Sequence, residues 1–192
     1  MRICLYGASS NEIDKKYIEQ TEEFGRLLAQ RGHSLVYGGG AQGLMGAAAR
    51  GVHENNGEIL GIAPTFFSEV DGVLFKQCSN FIYTETMRER KQLMEDHADA
   101  FVVTPGGIGT FEEFFEILTL KQLGRHQKPI VIYNMLGYYD TMKKMMEEAI
   151  EKNFMKPTCR ELCAFLETPE EVLGYMESYK ADKVGAKHFK NI

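Results

Sequence analysis

The sequence alternates short, predominantly apolar runs with longer amphipathic ones from end to end. The apolar runs lie at 3–6, 34–37, 59–63, 80–83, 100–104, 130–133 and 163–166. Helical periodicity occupies the stretches between them, at 14–31, 43–55, 86–97, 110–124, 138–152 and 169–179. Strands that are apolar throughout are buried on both faces, as in parallel sheets covered by helices. The pattern therefore predicts an α/β fold of the Rossmann-like, doubly wound kind, with about seven parallel strands and helices on both faces.

The chain has the length of one ordinary α/β domain. Its 192 residues are enough to bury a sizeable core, and the hydrophobic share of 44% is typical of globular proteins. Neither a linker nor an internal repeat interrupts the alternation of strands and helices. We therefore expect one domain over residues 1–180, followed by a polar and loose tail over 181–192.

Charge and hydropathy exclude several classes of partner. Lysine and arginine number 22 against 27 aspartates and glutamates, which gives a net charge of −5. Nucleic-acid-binding domains usually carry a basic stripe, and no dense basic run precedes the tail, so nucleic acid is not an expected partner. No apolar stretch has the length of a membrane span, and the N-terminus lacks the charged-then-apolar pattern of a signal peptide. The sequence predicts a soluble, cytoplasmic protein with no membrane partner.

The cysteines and histidines do not form a metal-binding pattern. Cys4, Cys78, Cys159 and Cys163 include no CxxC pair, and the five histidines are scattered along the chain. Zinc sites normally use closely spaced pairs of these ligands. We expect no metal site, and we interpret the cysteines as small hydrophobic residues that are buried or partly buried.

Three of the junctions between a strand and the next helix are rich in glycine or serine. They read YGASSN at 6–11, YGGGAQGLMG at 37–46 and TPGGIGT at 104–110. In parallel α/β sheets, ligands bind outside the carboxyl ends of the strands, where such junctions lie. Backbone N–H groups at the start of a helix, unobstructed by side chains, suit an anion. The three junctions together predict a site for a phosphate group.

The same junctions indicate which class of phosphate-containing ligand to expect. Gly38, Gly40 and Gly43 satisfy GxGxxG, but that fingerprint also requires an acid at the carboxyl end of the next strand. Here the next strand ends at Pro64, and Glu58 lies at its opposite end. No Gly-Lys-Ser/Thr of a P-loop follows any of the glycines. The sequence favours a mononucleotide or a phosphosugar over NAD or FAD.

Glu113 has a functional and a structural interpretation. The helix after Gly109 is apolar around most of its circumference, and Glu113 projects between Ile117 and Leu120. Structurally, Thr110 and Glu113 could form a capping box at the start of this helix. Functionally, a partly desolvated carboxylate beside an anion loop is a candidate acid, base or cation stabiliser. The residues alone leave both interpretations open.

Arg90 lies on the apolar side of its helix. The segment TMRERKQLM begins with a second Thr-x-x-Glu pattern, in which Thr86 and Glu89 predict a capping box. Arg90 lies within the apolar arc, and Lys91 borders it. A buried arginine requires a partner, either an internal carboxylate or a bound phosphate or base, and the residues alone favour the ion pair.

These segments together resemble a known family. They read GGGAQGLMG at 38–46, MRERK at 87–91 and PGGIGTFEE at 105–113. In this order and spacing they resemble the LOG family, the cytokinin riboside 5′-monophosphate phosphoribohydrolases, which are often mislabelled lysine decarboxylases. The resemblance covers residues 3 to about 179, and the combination of motifs is specific to this family although no single motif is.

The resemblance implies hydrolysis of the N-glycosidic bond of an adenine-type nucleoside 5′-monophosphate to free base and ribose 5-phosphate, without cofactor or metal. It implies a catalytic pair, Arg90 and Glu113. It implies substrate-binding roles for Ser9, Gly39, Gly40, Met87, Lys91, Gly106, Gly107, Gly109 and Thr110. It also implies a homodimer, which the apolar helix over 111–123 suits. The role of Glu112 stays open, because adjacent helix positions cannot point at one atom.

Two alternatives remain at this stage. The chain could be a general AMP nucleosidase, since the motifs do not separate plain adenine from N6-prenylated adenine. It could also be a non-catalytic nucleotide sensor or carrier of the same fold. Such a protein would need the glycine-rich junctions but not both Arg90 and Glu113, so this pair favours an enzyme.

Overall fold

The computed structural model describes residues 1–181 and 185–190, and it is built on one seven-stranded sheet. The strands are β1 (Arg2–Tyr6), β2 (Ser34–Tyr37), β3 (Ile59–Pro64), β4 (Asn80–Thr84), β5 (Ala100–Val103), β6 (Ile130–Tyr133) and β7 (Ala164–Leu166). All neighbours pair in parallel, in the order β4-β3-β2-β1-β5-β6-β7. The predicted parallel sheet is confirmed, and every strand end lies within one residue of its expected position.

Helices connect the strands where the periodicity predicted them, with ends within two residues of the expected ones. They are α1 (Lys15–Gln30), α2 (Gly43–Glu54), α4 (Met87–His97), α5 (Ile108–Gln122), α6 (Asp140–Glu151) and α7 (Pro169–Ser178). Four short elements in the described part of the chain were not predicted: α3 (Thr65–Ser68), α8 (Ala186–Phe189) and the 3-10 turns Met135–Gly137 and Pro157–Glu161. Each of these is too short to show a period.

The sheet separates two hydrophobic cores. Along β1, Cys4 and Tyr6 point into the core beneath α4, α5 and α6, whereas Ile3 and Leu5 point into the core beneath α1, α2 and α7. The same alternation runs through the other central strands, since successive side chains of a strand point to opposite faces. Burial on both faces explains why the strands read as continuous apolar runs. The predicted doubly wound arrangement is confirmed.

The winding of the chain leaves a crevice at the centre of the sheet. The chain proceeds from β1 outward to β4 and then returns to β5, which pairs with the other side of β1. Connections that leave neighbouring strands in opposite directions open a crevice at their carboxyl ends, where ligands bind in such folds. The three glycine-rich junctions follow β1, β2 and β5, so they all lie at this edge.

The described part of the tail is not loose, contrary to the expectation from its polar composition. The turn of α8 packs on the 3-10 turn Pro157–Glu161, where the Thr158 hydroxyl donates to the His188 carbonyl at 2.7 Å. The Phe189 side chain is 3% exposed, because an aromatic ring buries its apolar surface even within a polar segment. Residues 182–184 and 191–192 lie outside the described residues, and so does that part of the prediction.

Within residues 1–181 and 185–190, no helix has the length and apolar character needed to cross a membrane. In the same part of the chain, no three histidine, cysteine, aspartate or glutamate side chains come together as metal ligands would. The four cysteines are free thiols, three of them buried and Cys78 partly so. Their interpretation as small hydrophobic residues is confirmed.

Candidate active site

A cleft of about 690 Å³ opens at the carboxyl ends of β1, β2 and β5. All three glycine-rich junctions contribute to its lining, through Ser9 from the first, Gly40 from the second and Gly107 from the third. Arg90 of α4 and Glu113 of α5 complete its inner wall. The topology has therefore brought together segments that are about 100 residues apart in the sequence.

Backbone hydrogen bonds connect the three junctions to one another. The Ala8 N–H donates to the Pro105 carbonyl at 3.0 Å, and the Ala8 carbonyl accepts from the Leu44 N–H at 2.9 Å. The Asn11 side chain accepts from the Gly43 N–H at 2.7 Å. Gly43 has a φ of 60°, and a Cβ at this position would come within 2.4 Å of the Ala8 carbonyl oxygen, so the approach requires glycine. These contacts fix the walls of the cleft relative to each other.

The third junction ends in an uncapped helix N-terminus that faces the cleft. Gly107 is the N-cap of α5, and no side chain caps the helix there. The first N–H groups of a helix have no partner within it, and together with the helix dipole they favour a bound anion. A Cβ on Gly107 or Gly109 would enter open space, whereas one on Gly106 would lie 2.1 Å from the Thr110 hydroxyl oxygen. This geometry leaves room for an anion at the start of α5.

The capping box expected from Thr110 and Glu113 is not formed, so that interpretation is wrong. Because α5 begins two residues earlier than its periodicity suggested, Thr110 lies inside the first turn instead of preceding it. At α4 the corresponding prediction is confirmed. The Thr86 hydroxyl accepts from the Glu89 N–H and the Glu89 carboxylate accepts from the Thr86 N–H, both at 3.2 Å. Glu113 is therefore available for a different partner.

That partner is Arg90, across the gap between α4 and α5. Arg90 Nη1 donates to Glu113 Oε1 at 2.9 Å, and Arg90 Nε donates to the carbonyl of Ile62 at 3.1 Å. The two side chains are only 7% and 13% exposed. A Cβ on Gly38 would lie 1.9 Å from Arg90 Nη2, so this glycine leaves room for the guanidinium. The ion-pair interpretation of Arg90 is therefore confirmed, and the pair lies in the wall of the cleft.

The Glu113 carboxyl is held in an environment with opposing electrostatic effects. Burial raises its pKa above the ordinary range for glutamate, and the neighbouring Arg90 guanidinium opposes that rise. Desolvation penalises the charged form of an acid, whereas a cation within hydrogen-bond distance favours it. A carboxylate that is kept dry and oriented by one cation can interact strongly with positive charge that develops nearby.

Lys91 and Glu112 lie outside this cleft. Lys91 Nζ binds the carboxylates of Glu112 and Glu116, the latter at 2.7 Å, and none of these three residues is among the cleft-lining residues. Adjacent helix residues are about 100° apart, so Glu112 and Glu113 cannot share a partner. Lys91, which the family resemblance places beside the nucleotide, joins α4 to α5 through these ion pairs.

The other residues predicted from the family pattern fall into two groups. Six lie in the lining of the cleft: Ser9, Gly40, Met87, Gly107, Gly109 and Thr110. Gly39 and Gly106 are not among the lining residues but lie next to them in the chain. The Gly39 carbonyl accepts from the Phe75 N–H at 2.9 Å, and Gly106 makes space for Thr110.

One wall of the cleft was not identified from the sequence. Phe67 of α3 and residues 71–74, which lie between α3 and β4, cover its outer side, with Asp71 and Leu74 among the lining residues. The segment is held by an antiparallel bridge between Gly40 and Leu74 and by a hydrogen bond from the Ala41 N–H to the Val73 carbonyl at 2.8 Å. It has no hydrophobic period, and the Asp-Gly turn at 71–72 was its only local signal.

Comparisons with known proteins agree with this geometry over most of the chain. A family model described as "possible lysine decarboxylase" matches residues 45–176. Among curated proteins, the cytokinin riboside 5′-monophosphate phosphoribohydrolase LOG3 of Arabidopsis thaliana is 36% identical over 180 residues, covering 93% of this chain and 82% of the relative. The probable cytokinin riboside 5′-monophosphate phosphoribohydrolase LOGL6 of Oryza sativa subsp. japonica is 35% identical over 190 residues, covering 97% and 75%.

Solved structures with the same fold are more distant in sequence. The molybdenum cofactor carrier protein of Chlamydomonas reinhardtii superposes with a TM-score of 0.70 at 19% identity, covering 92% of this chain and 95% of that one. The molybdenum cofactor binding protein of Rippkaea orientalis gives a TM-score of 0.67 at 18% identity, covering 92% and 94%. At these identities the superpositions establish the Rossmann-like fold and nothing about the ligand.

Proposed function

The chain belongs to the LOG family of cytokinin riboside 5′-monophosphate phosphoribohydrolases, whose model also carries the description of a possible lysine decarboxylase, and from this premise we propose its reaction. It hydrolyses the N-glycosidic bond of an adenosine 5′-monophosphate, plain or N6-substituted, to free base and ribose 5-phosphate. The observation that carries the proposal is the Arg90–Glu113 pair in the wall of the cleft, beside an uncapped helix N-terminus.

The 5′-phosphate is proposed to bind the loop from Gly106 to Thr110. The N–H groups at the start of α5 and the positive end of its dipole would hold the dianion. Gly107 and Gly109 allow the phosphate to approach the backbone closely because no Cβ stands there. Binding energy from a phosphate remote from the reacting bond positions the ribose for the chemical step.

Glu113 is proposed to act at the ribose. As the bond between C1′ and the base nitrogen breaks, its electron pair leaves with the base and positive charge develops on the ribose. A fixed carboxylate stabilises that charge and orients the attacking water. The water oxygen bonds to C1′, one water proton remains as the new hydroxyl, and the other balances the departing base. Arg90 keeps the Glu113 carboxylate in place and favours its charged form.

The remaining family positions are proposed to contribute in two ways. Ser9, Gly40 and Met87 line the cleft and contact the nucleotide directly. Gly39 and Lys91 act through their neighbours, Gly39 by supporting the outer wall and Lys91 by joining α4 to α5. The base extends from the ribose towards that outer wall, where Phe67 and Leu74 provide apolar surface for an aromatic ring.

The reaction is tested by incubating the protein with AMP, an N6-prenylated AMP and the two corresponding nucleosides. Chromatography identifies any released base, and a parallel assay quantifies ribose 5-phosphate. We expect base release from at least one monophosphate with EDTA present, and turnover of the matching nucleoside at least about 100-fold lower, since the phosphate supplies positioning energy.

The same panel separates the alternatives. Equal turnover of plain and prenylated AMP identifies a general AMP nucleosidase, whereas preference for the prenylated nucleotide identifies a cytokinin-type enzyme. Tight binding of a nucleotide without release of base from any of the four would contradict the proposal and identify a carrier or sensor. Efficient turnover of the nucleosides would contradict the role of the phosphate loop.

A further inference from the structure

We propose that Tyr138 is a positioning residue for the phosphate loop, because its hydroxyl fixes the peptide plane between Gly106 and Gly107 and thereby aims the Gly107 N–H into the cleft. The inference rests on the proposed function in one respect, namely that the loop binds the 5′-phosphate. Tyr138 follows β6, and it is not one of the cleft-lining residues.

The central observation is one hydrogen bond. The Tyr138 hydroxyl donates to the carbonyl of Gly106 at 2.7 Å. In a trans peptide unit the C=O and the following N–H point in opposite directions. A Gly106 carbonyl turned towards Tyr138 therefore turns the N–H of Gly107 away from it, and Gly107 lies in the lining of the cleft.

The preceding peptide plane is fixed in the same manner from another side. The Pro105 carbonyl accepts from the Ala8 N–H at 3.0 Å, which orients the N–H of Gly106. Gly106 and Gly107 have no Cβ, so their φ and ψ angles are weakly restricted by their own sterics. Two adjacent glycines can present N–H groups in a defined direction only if external contacts hold their carbonyls. Tyr138 supplies one of these contacts and the first junction supplies the other.

The turn that carries Tyr138 is itself well supported. Leu136 and Gly137 both have positive φ, 53° and 72°, which reverses the chain tightly after β6. The Asn134 side chain accepts from the Tyr139 N–H at 2.7 Å and donates to Asp140 at 2.7 Å. The hydroxyl of Tyr138 is thus placed by a closed hydrogen-bonded turn.

The adjacent tyrosine shows why the argument is specific to Tyr138. The Tyr139 hydroxyl donates to the carbonyl of Thr104 at 2.8 Å. The residue after Thr104 is Pro105, which has no N–H, so this bond anchors the end of β5 without aiming a donor. Tyr138 and Tyr139 both donate a hydroxyl hydrogen bond to a carbonyl of this loop. Of these two carbonyls, only the one bound by Tyr138 belongs to a peptide unit whose N–H lies at the anion site.

The test is the variant Tyr138→Phe, which keeps the ring and removes the hydroxyl. Calorimetry measures the affinity of wild type and variant for ribose 5-phosphate and for adenosine, neither of which requires turnover. We expect ribose 5-phosphate to bind about five- to tenfold more weakly, the effect of losing about one hydrogen bond, while adenosine affinity is unchanged. Tyr17→Phe is the matched control, since the Tyr17 ring packs edge-on against Tyr138 at 6.1 Å and Tyr17 is not one of the cleft-lining residues.

Each outcome decides the inference. Unchanged ribose 5-phosphate affinity overturns it, and equal weakening of adenosine overturns it in favour of a general packing role. If the wild type binds ribose 5-phosphate but hydrolyses no nucleotide, the proposed function is wrong. The comparison of Tyr138→Phe with wild type then still tests the role of Tyr138. Wild-type protein that binds neither ribose 5-phosphate nor inorganic phosphate overturns both.

Discussion

At the residue scale, the proposed chemistry depends on the charge of Glu113 more than on its shape. Its carboxylate lies 2.9 Å from Arg90 Nη1 and is 13% exposed, so the surrounding medium screens it weakly. A buried ion pair contributes little to stability because desolvation offsets the attraction between the charges. Removal of one partner, however, leaves the other as an uncompensated buried charge. Such a pair stabilises the fold little, but it orients the carboxylate, and Arg90 opposes the rise in the pKa of Glu113 that burial causes.

Glu113→Gln should therefore separate chemistry from folding. Glutamine keeps the size and still accepts a hydrogen bond from Arg90, but it cannot stabilise the cationic ribose. We expect turnover to fall by about 10²–10³ while nucleotide affinity is largely retained. Because Arg90 loses its counter-charge, the free energy of unfolding should also fall, by about 1–3 kcal/mol. Single-turnover kinetics and urea denaturation measure the two effects.

Glu112→Gln is the matched control one position away. Glu112 is 54% exposed and binds Lys91 outside the cleft, so its loss should change stability by less than about 1 kcal/mol and leave turnover nearly intact. If Glu113→Gln unfolds more readily but turns over normally, Glu113 has only a structural role. If both variants lose turnover equally, the distinction between the two faces of α5 is wrong.

The sequence identified Arg90 and Glu113 because each interrupts an apolar helical face, which requires a partner. It did not reveal that they are each other's partners. They are 23 positions apart on different helices, and the distance between two helices depends on the packing of both against the sheet. Lys91 shows the same limit: it borders the apolar arc in sequence, but in the structure it pairs with Glu112 and Glu116 and does not line the cleft.

At the element scale, α4 and α5 show when a helix start can be predicted. At α4 the Thr-x-x-Glu pattern predicts the helix start correctly, because Thr86 and Glu89 form the capping box there. At α5 the same Thr-x-x-Glu pattern is overridden, since Pro105 and Gly106 are held by Ala8 and Tyr138 and the helix begins directly behind them. Local sequence cannot report contacts from residues about 30 or 100 positions away. The start of α5, the helix proposed to bind the phosphate, was therefore predicted two residues too late.

The outer end of α4 carries a carboxyl that should make stability depend on pH. The pKa of Glu95 is raised to about 7, mainly because burial desolvates the carboxyl, with Glu116 and Asp96 adding repulsion. The unfolded value is about 4.3. Between these pH values the folded state binds more protons than the unfolded state, so stability falls as pH rises from about 4.3 towards 7.

Glu95→Gln should remove this loss of stability. We expect the variant to melt at a higher temperature than wild type at pH 8 and at a nearly equal temperature at pH 4. Since the group is only half-buried, we discount the effect to about 1 kcal/mol, or about 2–4 °C in a domain of this size. Scanning calorimetry at both pH values measures it. Glu19→Gln, at an exposed position on α1, controls for the change in net charge, and an equal gain in both variants would rule out the local explanation.

At the scale of the whole molecule, the sequence predicted the sheet and the edge of the sheet where the cleft lies, but not the full outline of the cleft. Continuous apolar runs such as 100–104 establish a sheet buried on both faces, and a doubly wound sheet brings its glycine-rich junctions to one edge. The outer wall formed by residues 71–74 follows no period. Its position depends on contacts with Gly39, Gly40 and Ala41, which appear only when β2 is in place.

Several apolar side chains are exposed on the outer surface of α5 and α6 and on the segment after α6. A groove of about 580 Å³ runs between α5, α6 and the segment after α6. Around it, Phe115 is 37% exposed, Met145 53% and Phe154 84%. Isolated exposed apolar side chains are ordinary, but several lining one groove indicate an interaction surface. The sequence of α5 is apolar around most of the helix, and part of this apolar surface lines the groove.

We expect this surface to pair two copies of the chain in a homodimer. A two-fold interface buries the same patch on both copies, and a groove bordered by projecting aromatic residues is suited to such self-pairing. Light scattering at micromolar concentration should give about twice 21.8 kDa. Met145→Lys places a charge in the surface and should shift the mass towards the monomer. Tyr83→Lys, a comparably exposed residue on the edge strand β4, should not. A monomeric wild type would contradict the dimer, and a Met145→Lys variant that remains dimeric would place its interface on another face.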